Sequence, residues 1–164
     1  MSSSDRRKVL WLLAAAPLAA CGFQPAFAPG SAAESLRHAV LADAPHDKNG
    51  YDFVAEIDTQ LGRANAPRYG LAYSISTSTT GVAITTSWAV TRYQLIGGAD
   101  YVLRDLETGK VLTQGHVNSF VSYSAAGTTV STLTDEEAAN SRLMVILADQ
   151  VVARLIATAG HWAP

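Results

Sequence analysis

The longest regular pattern in the chain is an alternation of bulky with small or polar side chains between Tyr69 and Tyr123. Tyr69, Leu71, Tyr73 and Ile75 alternate with Gly70, Ala72, Ser74 and Ser76, a period of two that sends one bulky strand face toward a core. Ser76 to Thr80 is polar and β-prone, and Gly81 is expected to turn the chain ahead of Val82, Ile84 and the segment around Trp88. Alternation returns at Thr91. Tyr93, Leu95, Gly97, Ala99, Tyr101 and Leu103 take one face, and Arg92, Gln94, Asp100 and Arg104 take the other. Gly97-Gly98 predicts a bulge or a close backbone approach within that strand. Asp105 to Lys110 reads as a hairpin loop, with Gly109 supplying a positive φ. The returning strand presents Val111, Thr113, Gly115, Val117, Ser119, Val121 and Tyr123 on one side, and Gln114, His116 and Asn118 on the other.

Helical periodicity brackets these strands. Phe53, Val54, Ile57 and Leu61 form one apolar stripe. Asn49 is expected at the N-cap, Asp52 at N3 and Gly62 just past the end, so a helix is predicted from about Gly50 to Leu61, with Pro67 beyond it. Leu36 to Leu41, upstream, reads either as a short strand, which is favoured, or as the end of a helix begun near Ala32. Ala125 to Thr132 is a small-residue connection, and Thr134-Asp135-Glu136-Glu137 has the T-x-x-E form of a capping box opening a second helix. Leu143, Ile146, Leu147, Val151 and Leu155 give that helix a wide apolar face, Arg142, Asp149 and Arg154 mark its wet side, and Gly160 ends it. The order β-α-β-β-β-α predicts an α+β two-layer sandwich: a mostly antiparallel or mixed sheet of about four strands with two helices on one face.

The N-terminal segment follows none of these periods. Asp5-Arg6-Arg7-Lys8 is mainly basic, Val9 to Ala16 is a short apolar run, and Leu18-Ala19-Ala20 precedes the only cysteine, Cys21. Val9 to Ala20 is far shorter than the roughly 20 residues that cross a bilayer, and Pro17 interrupts it. The arrangement resembles the bacterial lipobox, which implies cleavage before Cys21, a diacylglycerol on its sulfur and an acyl chain on its freed amine. Gly22, where lipoproteins retained at the inner membrane commonly carry aspartate, resembles an outer-membrane sorting pattern. Residues 1–20 are then a signal peptide, 21–35 a lipidated tether rich in Pro, Gly and Ala, and 36–164 a single domain.

Charge and composition narrow the function. Loss of residues 1–20 removes Arg6, Arg7, Lys8 and Asp5, leaving nine basic against thirteen acidic side chains and no basic surplus for nucleic acid. With its one thiol in lipid, the fold has neither a disulfide nor a cysteine metal ligand. His38, His46, His116 and His161 lack the spacing of a zinc hydrolase, and no nucleophile elbow or phosphate-cradling loop is present. Asp43, His46 and Asp47 read as a solvated loop rather than a metal set, and His116 as an exposed polar residue of a strand. No enzyme, metal or cofactor is therefore expected beyond the covalent lipid.

Several segments carry a family resemblance. Cys21-Gly22-Phe23-Gln24-Pro25, Thr91-Arg92-Tyr93-Gln94-Leu95, Ser119-Phe120-Val121-Ser122-Tyr123 and Leu147-Ala148-Asp149-Gln150 resemble, in order, segments of the alphaproteobacterial LptE lipopolysaccharide-assembly lipoproteins. The resemblance implies an outer-membrane lipoprotein, anchored on the periplasmic side, that plugs the LptD β-barrel translocon in a 1:1 complex, assists its assembly and supports lipopolysaccharide delivery to the surface. Arg92, Arg104 and Lys110 are candidate lipopolysaccharide phosphate contacts because they are cationic and near the long hairpin. The alternative is a periplasm-facing lipoprotein without a barrel partner, binding a small amphiphile between sheet and helices on Tyr73, Tyr93 and Tyr101.

Overall fold

The computed structural model describes residues 27–84, 90–125 and 129–163. The expected signal peptide, Cys21 and the segment around Trp88 lie outside the described residues. A short 3-10 helix, Ala32–Leu36, is followed by β1 (Val40–Ala42), α1 (Lys48–Leu61), β2 (Tyr69–Ile84), β3 (Val90–Asp105), β4 (Val111–Ser124) and α2 (Thr129–Ala159). The sheet order is β1-β2-β3-β4, with β1 parallel to β2 and the other neighbours antiparallel. Both helices pack on one face, as the periodicities require: a period of two gives each strand one apolar side, and only helices remain to cover it.

The core is continuous. Phe53, Ile57 and Leu61 of α1 and Leu143, Leu147, Val151 and Leu155 of α2 are buried with Leu36, Val40, Tyr69, Leu71, Leu95, Ala99, Leu103 and Val117. Gly97 is where α2 approaches β3 most closely, since a Cβ there would lie 2.7 Å from Leu143 Cδ2 and 3.3 Å from Leu147 Cδ1. The Gly97-Gly98 pair thus produces the close approach, and the register runs through it unbroken. Irregularities fall instead near Gly81 and Ala83, and where Leu103-Arg104 passes Thr113 and Val111. Gly81 does not turn the chain: β2 continues past it to Ile84 through the bulge.

Three boundaries differ from the sequence pattern. Of the Leu36–Leu41 segment only Val40 and Leu41 are strand, with Ala42 extending it, because Ser31 caps a 3-10 helix ending at Leu36 and His38 takes φ 57°, which breaks the extended run. α1 is capped by Asp47, whose carboxylate accepts from the Gly50 amide at 2.7 Å, rather than by Asn49; Asp52 is held elsewhere, by Ser141 and Lys48. α2 begins at Thr129, more than a turn ahead of the T-x-x-E box, and the Thr134 hydroxyl donates back to the Val130 carbonyl instead of capping. The first buried side chain of α2 is Ala139, so the opening turns stand beyond the core beside the far ends of the strands.

Candidate interaction surface

The sheet leaves one face bare, and its side chains are set by strand parity. Ser78, Ile96 and Phe120 stand in one cross-strand row, Ser76, Gly98 and Asn118 in the next, and Ser74, Asp100 and His116 in a third. Ile96 is 42% exposed and Phe120 62%. A Cβ on Gly98 would lie 2.9 Å from His116 Cε1, and its absence leaves a shallow open depression of about 260 Å³ lined by Ser76, Ser78, Ile96, Gly98, His116 and Asn118. His116 Nδ1 lies 2.9 Å from Asp100 Oδ1, an exposed contact within the third row.

Both edges are equally short of charge. β1 covers β2 only from Tyr69 to Leu71, and the Asp43 amide adds one bond to the Leu71 carbonyl. From Ala72 to Ile84, one side of β2 has no strand partner among the described residues, and this stretch contains no ionisable group except Tyr73 and no proline. β4 forms the other edge for all fourteen residues, with His116 its one histidine and no Lys, Arg, Asp, Glu or Pro. Edge strands are ordinarily guarded by charge, proline or cover. These two are not.

The charged groups concentrate on helices and turns. Lys48 Nζ lies 3.1 Å from Asp52 Oδ2 and 3.6 Å from Glu137 Oε1, and the Ser141 hydroxyl donates to Asp52 at 2.6 Å, so one cluster ties α1 to α2. The Ser141 hydroxyl is the chief reason that Asp52 stays below the usual carboxylate range; burial opposes it and Lys48 adds to it. Gln60 and Asp149 form a second interhelical hydrogen bond. Asp105 is lowered by the Thr108 amide and hydroxyl and the Glu107 amide inside its turn.

The structure does not gather the three candidate phosphate contacts. Arg104 and Lys110 flank the β3-β4 turn, whereas Arg92 sits opposite Ser124, twelve residues and about 40 Å away along β3. Tyr73, Tyr93 and Tyr101 all face the helical side and are engaged: Tyr73 on Phe53 at 5.0 Å, Tyr93 stacked on Tyr123 at 5.4 Å, and Tyr101 buried beneath Gly115. Burial raises the phenol pKa of Tyr73 and Tyr101. Among the described residues no three His, Cys, Asp or Glu side chains converge as a metal set, and no helix is long and apolar enough to cross a membrane. Phe120 was grouped with no site in the sequence pattern, though its parity with Gln114, His116 and Asn118 was the signal that puts it on the bare face.

These features define the class: an α+β sandwich that presents strand surface, one face and two edges, to its surroundings. The lipopolysaccharide-assembly family LptE matches residues 38–155, and the chain belongs to it. Its fold is shared with a lipoprotein of Caulobacter crescentus CB15 at TM-score 0.66 and 18% identity, covering 79% of this chain and 96% of that one. Rare lipoprotein B of Shewanella oneidensis matches at TM-score 0.55 and 13% identity, over 73% and 93% of the two chains. A minor lipoprotein of Acinetobacter baumannii matches at TM-score 0.52 and 14% identity, over 73% and 89%. No curated protein sequence is similar to it at a significant level.

Proposed function

We propose that the protein is an outer-membrane lipoprotein, anchored through acylated Cys21 after removal of residues 1–20, that plugs the LptD β-barrel in a 1:1 complex. In that role it assists barrel assembly and supports lipopolysaccharide delivery. Beyond family membership, the observation that carries this reading is the pair of long strand edges without charged residues. A barrel lumen is lined by polar side chains. Ser, Thr, Asn and Gln can exchange hydrogen bonds with such a wall without the desolvation cost of burying ions. Strands of sixteen residues, about 50 Å long, also exceed the roughly 25 Å apolar band of an outer-membrane barrel, so one body can follow a lumen along its whole height. Arg104 and Lys110 at one end, and Arg92 at the other, are candidate contacts for phosphate groups.

Purification from outer membranes in mild detergent is expected to bring down a stoichiometric large barrel, and depletion to lower the amount of folded LptD. A monomer that carries lipid but no barrel, with surface lipopolysaccharide unchanged on depletion, would overturn the reading in favour of the amphiphile binder.

A further inference from the structure

The end of the sandwich at which the described chain begins differs from the rest in charge. The Arg37 guanidinium lies 5.8 Å from the centroid of the Phe27 ring, Arg68 lies 5.5 Å from that of Tyr69, and Tyr69 meets Trp162 edge-on at 5.5 Å. The Leu106 amide donates to the Arg68 carbonyl at 2.9 Å, and its side chain, 50% exposed, lies over Gly70. Arg104 is the strand neighbour of Gly70 and Val111, and the Lys110 carbonyl accepts from the Asp105 amide to close the same turn. Arg37, Arg68, Arg104 and Lys110 are all exposed, and none forms an ion pair among the described residues.

Three carboxylates outside an ion pair share this end, beside the Asp58–Arg63 pair at the close of α1, and all three keep their charge, so the four cations exceed them by one. Asp105 accepts from the Glu107 and Thr108 amides, Glu34 accepts from the Gly30 amide at 2.6 Å, and Glu107 is exposed. Asp47, Asp52, Glu136 and Glu137 lie around the starts of α1 and of the buried part of α2, toward the other end. At physiological salt the screening length is about 8 Å, so over a body about 50 Å long the overall acidic balance does not cancel the local one.

We infer that this end is a docking surface for the anionic phospholipid headgroups of the leaflet that holds the anchor. The inference rests on the proposed acylation of Cys21 for its location and on the surface itself for its chemistry. Five residues, 22–26, lie between Cys21 and Phe27, a reach of at most about 20 Å, so the anchor keeps this end beside the headgroups. Cations near an anionic leaflet each raise binding about fivefold, and half-exposed Trp and Leu side chains favour the same interface.

The test uses the mature chain, residues 21–164, as a Cys21→Ser variant without lipid, floated with vesicles of phosphatidylcholine with or without phosphatidylglycerol and free of lipopolysaccharide. Binding is expected only with phosphatidylglycerol, and it should vanish in high salt. Replacing Arg37, Arg68 and Lys110 together by Gln should weaken it by about two orders of magnitude, whereas Arg142→Gln, beside Val121 and away from this end, should leave it intact. Absent binding, equal binding to neutral vesicles, or loss of binding in both variants alike would overturn the inference. The anchor is read separately from the mass of the native N-terminal peptide, so an unmodified Cys21 thiol removes the anchor without deciding the vesicle result.

Discussion

Gly97 shows how much one absent methyl group decides. Leu143 and Leu147 occupy the space a side chain would need, so α2 rests directly on the backbone of β3. Gly97→Val is expected to cost about 1–3 kcal/mol through overpacking, read as a lowered midpoint in urea. The true cap of α1 can be separated from the expected one in the same way. Asp47→Ala should cost about 1 kcal/mol, while Asn49→Ala should stay within about 0.5 kcal/mol of the parent. Asp52 gives a pH signature. Its folded pKa is lowered, so its contribution is fully present above the ordinary value near pH 4 and is lost as pH falls through the folded value. Ser141→Ala removes the first cause of that lowering and should move the acid-unfolding limb to higher pH; an unchanged carboxylate titration by NMR would contradict it. Sequence showed that a glycine mattered at Gly97 and a cap near Asn49, because local chemistry dictates both. It placed the cap at Asn49 rather than Asp47, an equally good cap two residues earlier, because the tertiary contact that engages Asp52, the Ser141 hydroxyl, is distant in the chain.

Among the elements, β3, β4 and the first half of β2 were legible almost residue by residue, because a sustained period of two leaves only one register with the bulky face inside, whereas the continuation of β2 through Gly81 to Ile84 was not. β1 and the start of α2 were not. β1 is three residues held by parallel pairing to Tyr69–Leu71, a tertiary choice, and α2 extends upstream of its capping signal through turns whose Val130 and Leu133 side chains remain exposed. The bare edge of β2 yields its own test. Ser78→Glu, exposed on the uncovered face, is expected to change stability by less than about 0.5 kcal/mol yet reduce recovery of the proposed barrel complex, since it places an ion on a surface proposed to meet the lumen. Equal recovery of the barrel from the variant and the parent would remove the edge and open face from the proposed contact.

For the whole molecule, chain length, the order of elements and the family segments were all visible in advance, whereas the separation of charge was not. Arg37, Arg68, Arg104 and Lys110 are scattered over 74 positions of sequence and meet only because the first turn, the α1-β2 loop and the β3-β4 turn fold to one end. The candidate phosphate contacts were chosen by position along a hairpin, and that criterion grouped Arg92 with residues at the opposite end of its own strand. Unguarded strands have a further cost that concerns supply. Two copies released faster than barrels become available offer each other the same neutral backbone rows, and nothing in those rows discourages zippering. Scattered light from the purified, barrel-free protein should therefore grow with concentration, and a lysine introduced at Ser78 should suppress it. If the proposed barrel complex forms, a cell making this chain has to keep its synthesis in step with that of the barrel, or to lend the surplus a chaperone.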